Sequence, residues 1–138
     1  MKIFFVIILF IFTSGITDIC AIPKGKTRSE KTLFEGKVEF YFKPGPGQYV
    51  PEKVSVAGYF NGWEPDDEEY TLMPTKNDSF SVSIELNSGK QIYKYILDGK
   101  WVYDMEKFSK ENRIKPQPHA FINDGFGGKN AVLEIKKK

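Results

Sequence analysis

The residues best suited to bind a ligand lie around a predicted β-hairpin at Asp98-Gly99. This dipeptide separates the apolar runs QIYKYIL and KWVY, and Asp-Gly accepts the positive φ angles of a type I′ turn. Side-chain alternation then places one group of residues on a single face of the hairpin: Lys94, Ile96, Trp101 and Tyr103. Lys94 and Trp101 become diagonal neighbours, about 7–8 Å apart. A cation beside a large flat aromatic suits a ligand with an apolar face and a hydroxylated rim.

A second tryptophan, Trp63, follows the tight-turn dipeptide Asn61-Gly62 in the segment GYFNGW. The residues alone leave two interpretations open, a plug in the core or an aromatic platform on a loop. As a platform, the indole would pack on the C–H face of a sugar ring. Each such contact would contribute about 1 kcal/mol, by analogy with aromatic pairs. Two platforms predict a weak-to-moderate site that gains affinity on a polymer through multivalency.

Residues that could support metal binding are few. His119 is the only histidine, and its proline-rich surroundings predict a surface loop residue. One histidine without a second soft ligand predicts no metal site. The acidic run Asp66 to Glu69 lacks the alternating ligand spacing of a calcium loop, which favours a solvated loop. We therefore predict neither a metal nor another cofactor.

Catalytic patterns are equally sparse. Turn chemistry explains Asp98, and a helix cap explains Asp104. A small hydrolase would require a carboxylate pair, which the sequence does not assemble, so we predict no enzyme activity. The glycine-rich run 125–129 lacks the GxxxxGK[ST] spacing of a phosphate loop, and it predicts a turn before the last strand.

The first 21 residues have the pattern of a secretory signal peptide. Lys2 precedes the uncharged apolar run IFFVIILFIF, which is shorter than the ~20 residues needed to span a bilayer. We predict a signal peptide at 1–21, a flexible leader at 22–34 and one domain at 35–138. The protein would be exported to the periplasm, the cell envelope or the medium. Cys20, the only cysteine, leaves lipid attachment as an alternative, and the mature domain has no disulfide.

The charge balance argues against nucleic acid as a partner. The net charge is +2, and the basic residues are scattered apart from the C-terminal run 136–138, which is typical of a solvated tail. Aromatic residues make up 15% of the chain, and part of them form the core. The two tryptophans lie in segments rich in turns, where the sequence does not require burial.

Periodicity predicts an all-β domain. Apolar residues alternate with polar ones in several short runs, with the clearest at Val38 to Phe42, Val54 to Gly58, Tyr70 to Met73, Phe80 to Ile84 and Ala131 to Ile135. Strands at intervals of about 8–12 residues with turns between them predict an antiparallel β-sandwich. We expect one short helix at 105–112, capped by Asp104. The rest of the connection 104–129 shows little strand signal.

Three segments in order, VSVAGYFNGW, YKYILDGKWVYD and DGFGGKNAVLEI, resemble carbohydrate-binding module family 48. That family includes the glycogen-binding domain of AMP-activated protein kinase β subunits and the N-terminal domains of isoamylases and branching enzymes. The likeness runs from about Val38 to Ile135. It implies an immunoglobulin-like β-sandwich of the early-set type.

The resemblance also implies roles for individual residues. Trp63 and Trp101 would stack on glucose, and Lys94 would contact sugar through a hydrogen bond. Asn130 would hydrogen-bond hydroxyl groups, and Phe126 would reach over a sugar ring. The connection from Trp101 to Asn130 is longer than in the kinase-linked domains, and its DGFGGKN end is closer to bacterial relatives.

Two classes of function follow. The leading hypothesis is an exported, non-catalytic module that binds α-1,4-linked glucan, such as glycogen, starch or maltooligosaccharide, with an α-glucan-active enzyme or an envelope protein as a further partner. The competing hypothesis is an envelope interaction or scaffold protein with the same fold and no sugar site. The competing hypothesis predicts that Trp63 and Trp101 are buried in the core.

Overall fold

The structure is a computed structural model that describes residues 31–138. The predicted signal peptide, Cys20 and residues 22–30 of the predicted leader lie outside the described residues. The described part contains these elements: β1 (Leu33–Phe34), β2 (Gly36–Lys43), β3 (Val54–Gly58), β4 (Thr71–Pro74), β5 (Phe80–Leu86), β6 (Gly89–Leu97), β7 (Lys100–Trp101), α1 (Met105–Glu111), β8 (Arg113–Lys115), β9 (Ala120–Asn123) and β10 (Lys129–Lys136). Within 31–138, no helix is long and apolar enough to cross a membrane.

The strands form one curled sheet whose two halves face each other. Strand β4 pairs with β3 on one side and with β5 on the other, so the order is β1-β10-β6-β3-β4-β5-β2-β8. Strands β2 and β6 are not neighbours in this order, yet their side chains meet. The ring centroids of Phe40 and Tyr93 are 5.6 Å apart, and those of Phe42 and Tyr95 are 6.1 Å apart. The predicted all-β, immunoglobulin-like sandwich is confirmed.

The alternation in β2 explains this packing. Val38, Phe40 and Phe42 are buried, whereas Lys37 and Glu39, on either side of Val38, are exposed to solvent. Such a strand buries one face against the opposite half of the sheet. The same periodicity places the apolar residues of β5 and β10 in the core.

Helix α1 closes one end of the core, as the sequence predicts. The Asp104 side chain caps it by accepting hydrogen bonds from Glu106 N at 2.9 Å and Lys107 N at 3.2 Å. Phe108 then stacks on Phe42 of β2, with ring centroids 5.5 Å apart and an interplanar angle of 5°. The helix ends at Glu111, one residue before the predicted boundary.

Three short edge strands are absent from the sequence prediction. Strands β8 and β9 lie in the connection that shows little strand signal, and β1 lies at the end of the predicted leader. Leu33 and Phe34 pair in parallel with Ile135 and Lys136 of β10, and Leu33 is buried. The leader prediction is therefore wrong for these two residues. Strands of two to four residues carry too few alternating positions to stand out in a sequence.

The hairpin of β6 and β7 has the predicted turn and register. Asp98 and Gly99 have φ angles of 51° and 82°, as a type I′ turn requires. Ile96 pairs with Trp101, and Leu97 pairs with Lys100. The Asp98 carboxylate also accepts hydrogen bonds from the Tyr49 hydroxyl and from the backbone amides that precede β3. These bonds, that of Tyr49 foremost, lower the pKa of Asp98 and fix the turn against the 49–53 segment.

Because the two halves of the sheet pack against each other, truncating an aromatic residue between them should strongly reduce stability. We expect Phe42→Ala to lower the free energy of unfolding by about 3–5 kcal/mol, because it leaves a cavity under β6 and α1. Urea unfolding followed by tryptophan fluorescence measures this cost. Phe34→Ala is the matched control: Phe34 is 49% exposed, so its truncation should change stability by no more than about 0.5 kcal/mol. Equal effects of the two variants would contradict the described core.

Candidate functional site

A cleft of about 470 Å³ lies beside the β6–β7 hairpin. Its lining residues come from the turn after β3, from the hairpin and from the segment that leads into β10: Trp63, Lys94, Trp101, Val102, Tyr103, Asp124, Phe126 and Asn130. All five site residues predicted from the sequence are among them. The fold therefore brings together residues that are up to 67 positions apart in the chain, from Trp63 to Asn130.

The turn that carries Trp63 is fixed by its own side chains and backbone. After β3 the chain forms a 3₁₀ turn at Tyr59–Asn61. Asn61 Oδ1 accepts a hydrogen bond from Gly58 N at 3.0 Å, and Asn61 Nδ2 donates to Glu64 O at 3.0 Å. Trp63 N donates to Gly58 O at 2.9 Å. These bonds hold Trp63 at a φ of 62°, which is uncommon for a bulky residue.

Phe60 anchors the same turn to the core. Its ring stacks on Tyr70 with centroids 5.3 Å apart and contacts Phe40 and Tyr93 at 6.2 and 6.0 Å. At Gly58, where β3 meets this turn, a Cβ atom would collide with the backbone of β6. The turn is thus tied to both halves of the sheet, which sets the position of Trp63.

The two tryptophans form a continuous aromatic surface. Their ring centroids are 6.2 Å apart, with an interplanar angle of 43°. Trp101 is 43% exposed, and Trp63 is half-buried. Neither residue belongs to the hydrophobic core, whereas the hypothesis of a scaffold without a sugar site predicts that both do. Trp101 and Lys94 both line the cleft, so they share a surface as the sequence predicts.

Lys94 lies at the base of the cleft, and its side chain is 9% exposed. Its ammonium group donates to Val102 O at 2.9 Å and Tyr103 O at 2.7 Å, and it pairs with Asp124 Oδ2 at 3.0 Å. These three acceptors match the three N–H donors of a lysine. The predicted hydrogen bond from Lys94 to a ligand stays a prediction, and it requires one of these bonds to be exchanged.

Asp124 is a cleft residue that the sequence analysis did not single out. Its Oδ1 accepts hydrogen bonds from Phe126 N at 2.7 Å and Gly128 N at 3.1 Å, while Oδ2 binds Lys94. These interactions, the bond from the Phe126 amide first, lower the pKa of Asp124. The detectable signal is the Asp-Gly-Phe order, because an aspartate commonly accepts a bond from the amide two residues later.

The loop 124–128 presents Phe126 to solvent. Phe126 is 87% exposed at the cleft wall, and its carbonyl accepts a 3.4 Å hydrogen bond from the Tyr103 hydroxyl. A Cβ atom at Gly128 would collide with the Tyr103 carbonyl oxygen, so the close approach of loop and hairpin requires glycine there. The glycine-rich run is therefore a turn before the last strand, as predicted.

Asn130 is the second residue of β10 and pairs with Ile122 of β9. Among residues 31–138, Asn130 Oδ1 has no hydrogen-bond partner although it is buried. A carboxamide provides donors and an acceptor, so it can pair with a hydroxyl group in either role. Its position at the cleft wall suits that use.

The remaining chemical candidates lie outside the cleft. The His119 ring interacts with Lys31 O at 3.1 Å and accepts a hydrogen bond from Glu134 N at 2.9 Å. In the acidic run, Asp67 caps a 3₁₀ turn through Glu69 N. No cluster of three His, Cys, Asp or Glu residues within 31–138 could hold a metal ion.

Comparison with known proteins gives a match to a protein family. A search of the curated proteins found no match for the chain. The family model described as the glycogen recognition site of AMP-activated protein kinase matches residues 48–138. The match spans β3 to β10 and includes every residue that lines the cleft. Since it covers more than half of the chain and confirms the resemblance seen in the sequence, this protein belongs to the glycogen-recognition family, carbohydrate-binding module family 48.

Proposed function

We propose that the cleft binds α-1,4-linked glucan and that the chain is a non-catalytic binding module. The observation that carries this proposal is the surface formed by Trp63 and Trp101, two adjacent indole rings outside the core. Glucose rings present C–H groups on their faces and hydroxyl groups at their edges. Indole rings bury the faces, and groups at the cleft wall meet the hydroxyls.

The polar groups of the cleft have different roles in this proposal. Asn130 exchanges hydrogen bonds with sugar hydroxyls when its carboxamide turns toward the cleft, because its buried acceptor has no partner to lose within the described residues. Lys94 supports the site by holding the hairpin carbonyls and Asp124 together. Phe126 packs over the outer face of a bound sugar, which would remove much of its exposed ring from water.

The environment of the carboxylate supports a binding role. Glycoside hydrolysis generally uses two carboxyl groups beside the scissile bond. Asp124, the carboxylate that lines the cleft, already accepts bonds from Lys94 and two backbone amides. We further propose that the module acts outside the cytoplasm, either freely or beside an α-glucan-active enzyme or envelope protein. The signal-peptide pattern of residues 1–21 supports that location.

Loss of either indole should weaken glucan binding. We expect Trp63→Ala and Trp101→Ala each to lower the affinity for maltoheptaose about five- to thirtyfold, because each removes about 1–2 kcal/mol of aromatic contact. Isothermal titration measures the affinity, and retardation in gels that contain glycogen measures binding to the polymer.

Phe34→Ala is the matched control for these variants. It removes an exposed aromatic ring from β1, at the opposite end of β10 from Asn130, and should bind like the wild type. Near-ultraviolet circular dichroism verifies the fold of each variant. Equal retention of the wild type and the Trp63→Ala, Trp101→Ala double variant on glycogen would refute the proposal.

The lowered pKa of Asp124 predicts that the stability of the protein depends on pH. Because folding lowers the pKa of Asp124, its carboxylate stabilises the folded state at pH values above the unfolded-state pKa of about 3.9. This stabilisation disappears as the pH falls through the lower pKa of the folded state. The Tm difference between the wild type and Asp124→Asn should therefore be largest near about pH 7 and shrink towards about pH 2.

Asp78→Asn is the control for this measurement, because it removes the same charge from the exposed turn between β4 and β5. Its Tm difference from the wild type should be small across the range. A Tm difference for Asp124→Asn that stays constant with pH would show that the carboxylate does not stabilise the loop.

A further inference from the structure

Tyr59 carries a third exposed ring next to the two tryptophans. Its side chain is 58% exposed, and its ring centroid lies 6.1 Å from that of Trp63 at an interplanar angle of 87°. It does not line the cleft. The ring therefore extends the aromatic surface from Trp101 and Trp63 to a point outside the cleft.

The turn holds Tyr59 outward by a definite mechanism. Phe60, the next residue, points into the core and stacks on Tyr70. Asn61 fixes the turn through its bonds to Gly58 N and Glu64 O. The Tyr59 backbone is thus anchored on its C-terminal side, and its ring is held on the solvent side of the turn.

Such an exposed, anchored tyrosine suits contact with a sugar. A tyrosine has only two side-chain torsions, so ordering it on binding costs little entropy. Its face can pack on C–H groups, and its hydroxyl group can donate and accept hydrogen bonds. The side chain is 58% exposed, so a ligand can reach it from solvent.

We infer that Tyr59 is an additional contact for the glucan chain, outside the cleft and next to Trp63. This inference rests on the proposed function. The successive centroid distances of 6.1 and 6.2 Å give three neighbouring rings rather than two. A ligand long enough to leave the cleft past Trp63 contacts Tyr59, whereas a disaccharide held by the two indoles does not. Tyr59 thereby makes the module selective for longer chains.

Chain-length dependence of binding tests this inference. Maltose and maltoheptaose are titrated against the wild type, Tyr59→Ala and Tyr59→Phe, with binding followed by NMR. We expect Tyr59→Ala to weaken maltoheptaose binding about two- to tenfold and to leave maltose binding unchanged. Tyr59→Phe keeps the ring and should retain most of the preference for the longer sugar.

Each other outcome has a distinct meaning. If Tyr59→Ala binds maltoheptaose like the wild type, the inference is overturned and the proposed function stands. If it weakens both sugars by the same factor, Tyr59 only supports the Trp63 ring, and the additional contact is refuted. If the wild type binds neither sugar, the proposed function fails, and this inference fails with it.

Discussion

The buried ammonium group of Lys94 is the constraint on which the cleft depends. An ammonium inside a protein is unfavourable unless acceptors replace its water shell. Here two hairpin carbonyls and the Asp124 carboxylate supply them, at 2.7 to 3.0 Å. These acceptors come from two separate segments, so satisfying one charge fixes both segments against β6. The arm that carries Trp101 and the loop that carries Phe126 thereby acquire definite positions.

The other side of the cleft is organised by different means but to the same effect. Trp63 depends on a turn closed by Asn61 and anchored by the buried ring of Phe60. Its positive φ angle is maintained by that surrounding structure. The exposed rings are therefore placed before any ligand arrives. A preorganised site loses less conformational entropy on binding, which matters where each contact is weak.

Local signals account for the parts of the fold that the sequence predicts. The Asp98-Gly99 turn, the alternation of β2 and the Asp104 cap each depend on neighbouring residues, and all three are present in the structure. The short edge strands carry no such signal, because their pairing partners determine them. Strand β1 exists because the end of β10 offers it an unpaired edge.

Local sequence signals likewise predict only part of the site. Side-chain alternation places Lys94 beside Trp101, but it cannot show that a loop 30 residues later covers the lysine. The alternation pattern therefore cannot predict the ion pair between Lys94 and Asp124, although the sequence contains both charged residues. Burial of Lys94 and Ile96 also shows that both faces of β6 are covered. The alternation alone predicts a core on one face only.

The ion pair changes how polar recognition in the cleft is best explained. A sugar hydroxyl that binds Lys94 must displace either the carboxylate, which is a stronger acceptor than a hydroxyl, or a carbonyl, which then loses its own donor. The exchange is thus unfavourable at Lys94, whereas Asn130 Oδ1 has no partner within the described residues to lose. In the proposed function, hydrogen bonding would therefore fall mainly to Asn130, and the aromatic surface would supply most of the binding energy. A site of that kind discriminates mainly by shape and chain length, and it gains affinity where a polymer offers many equivalent segments.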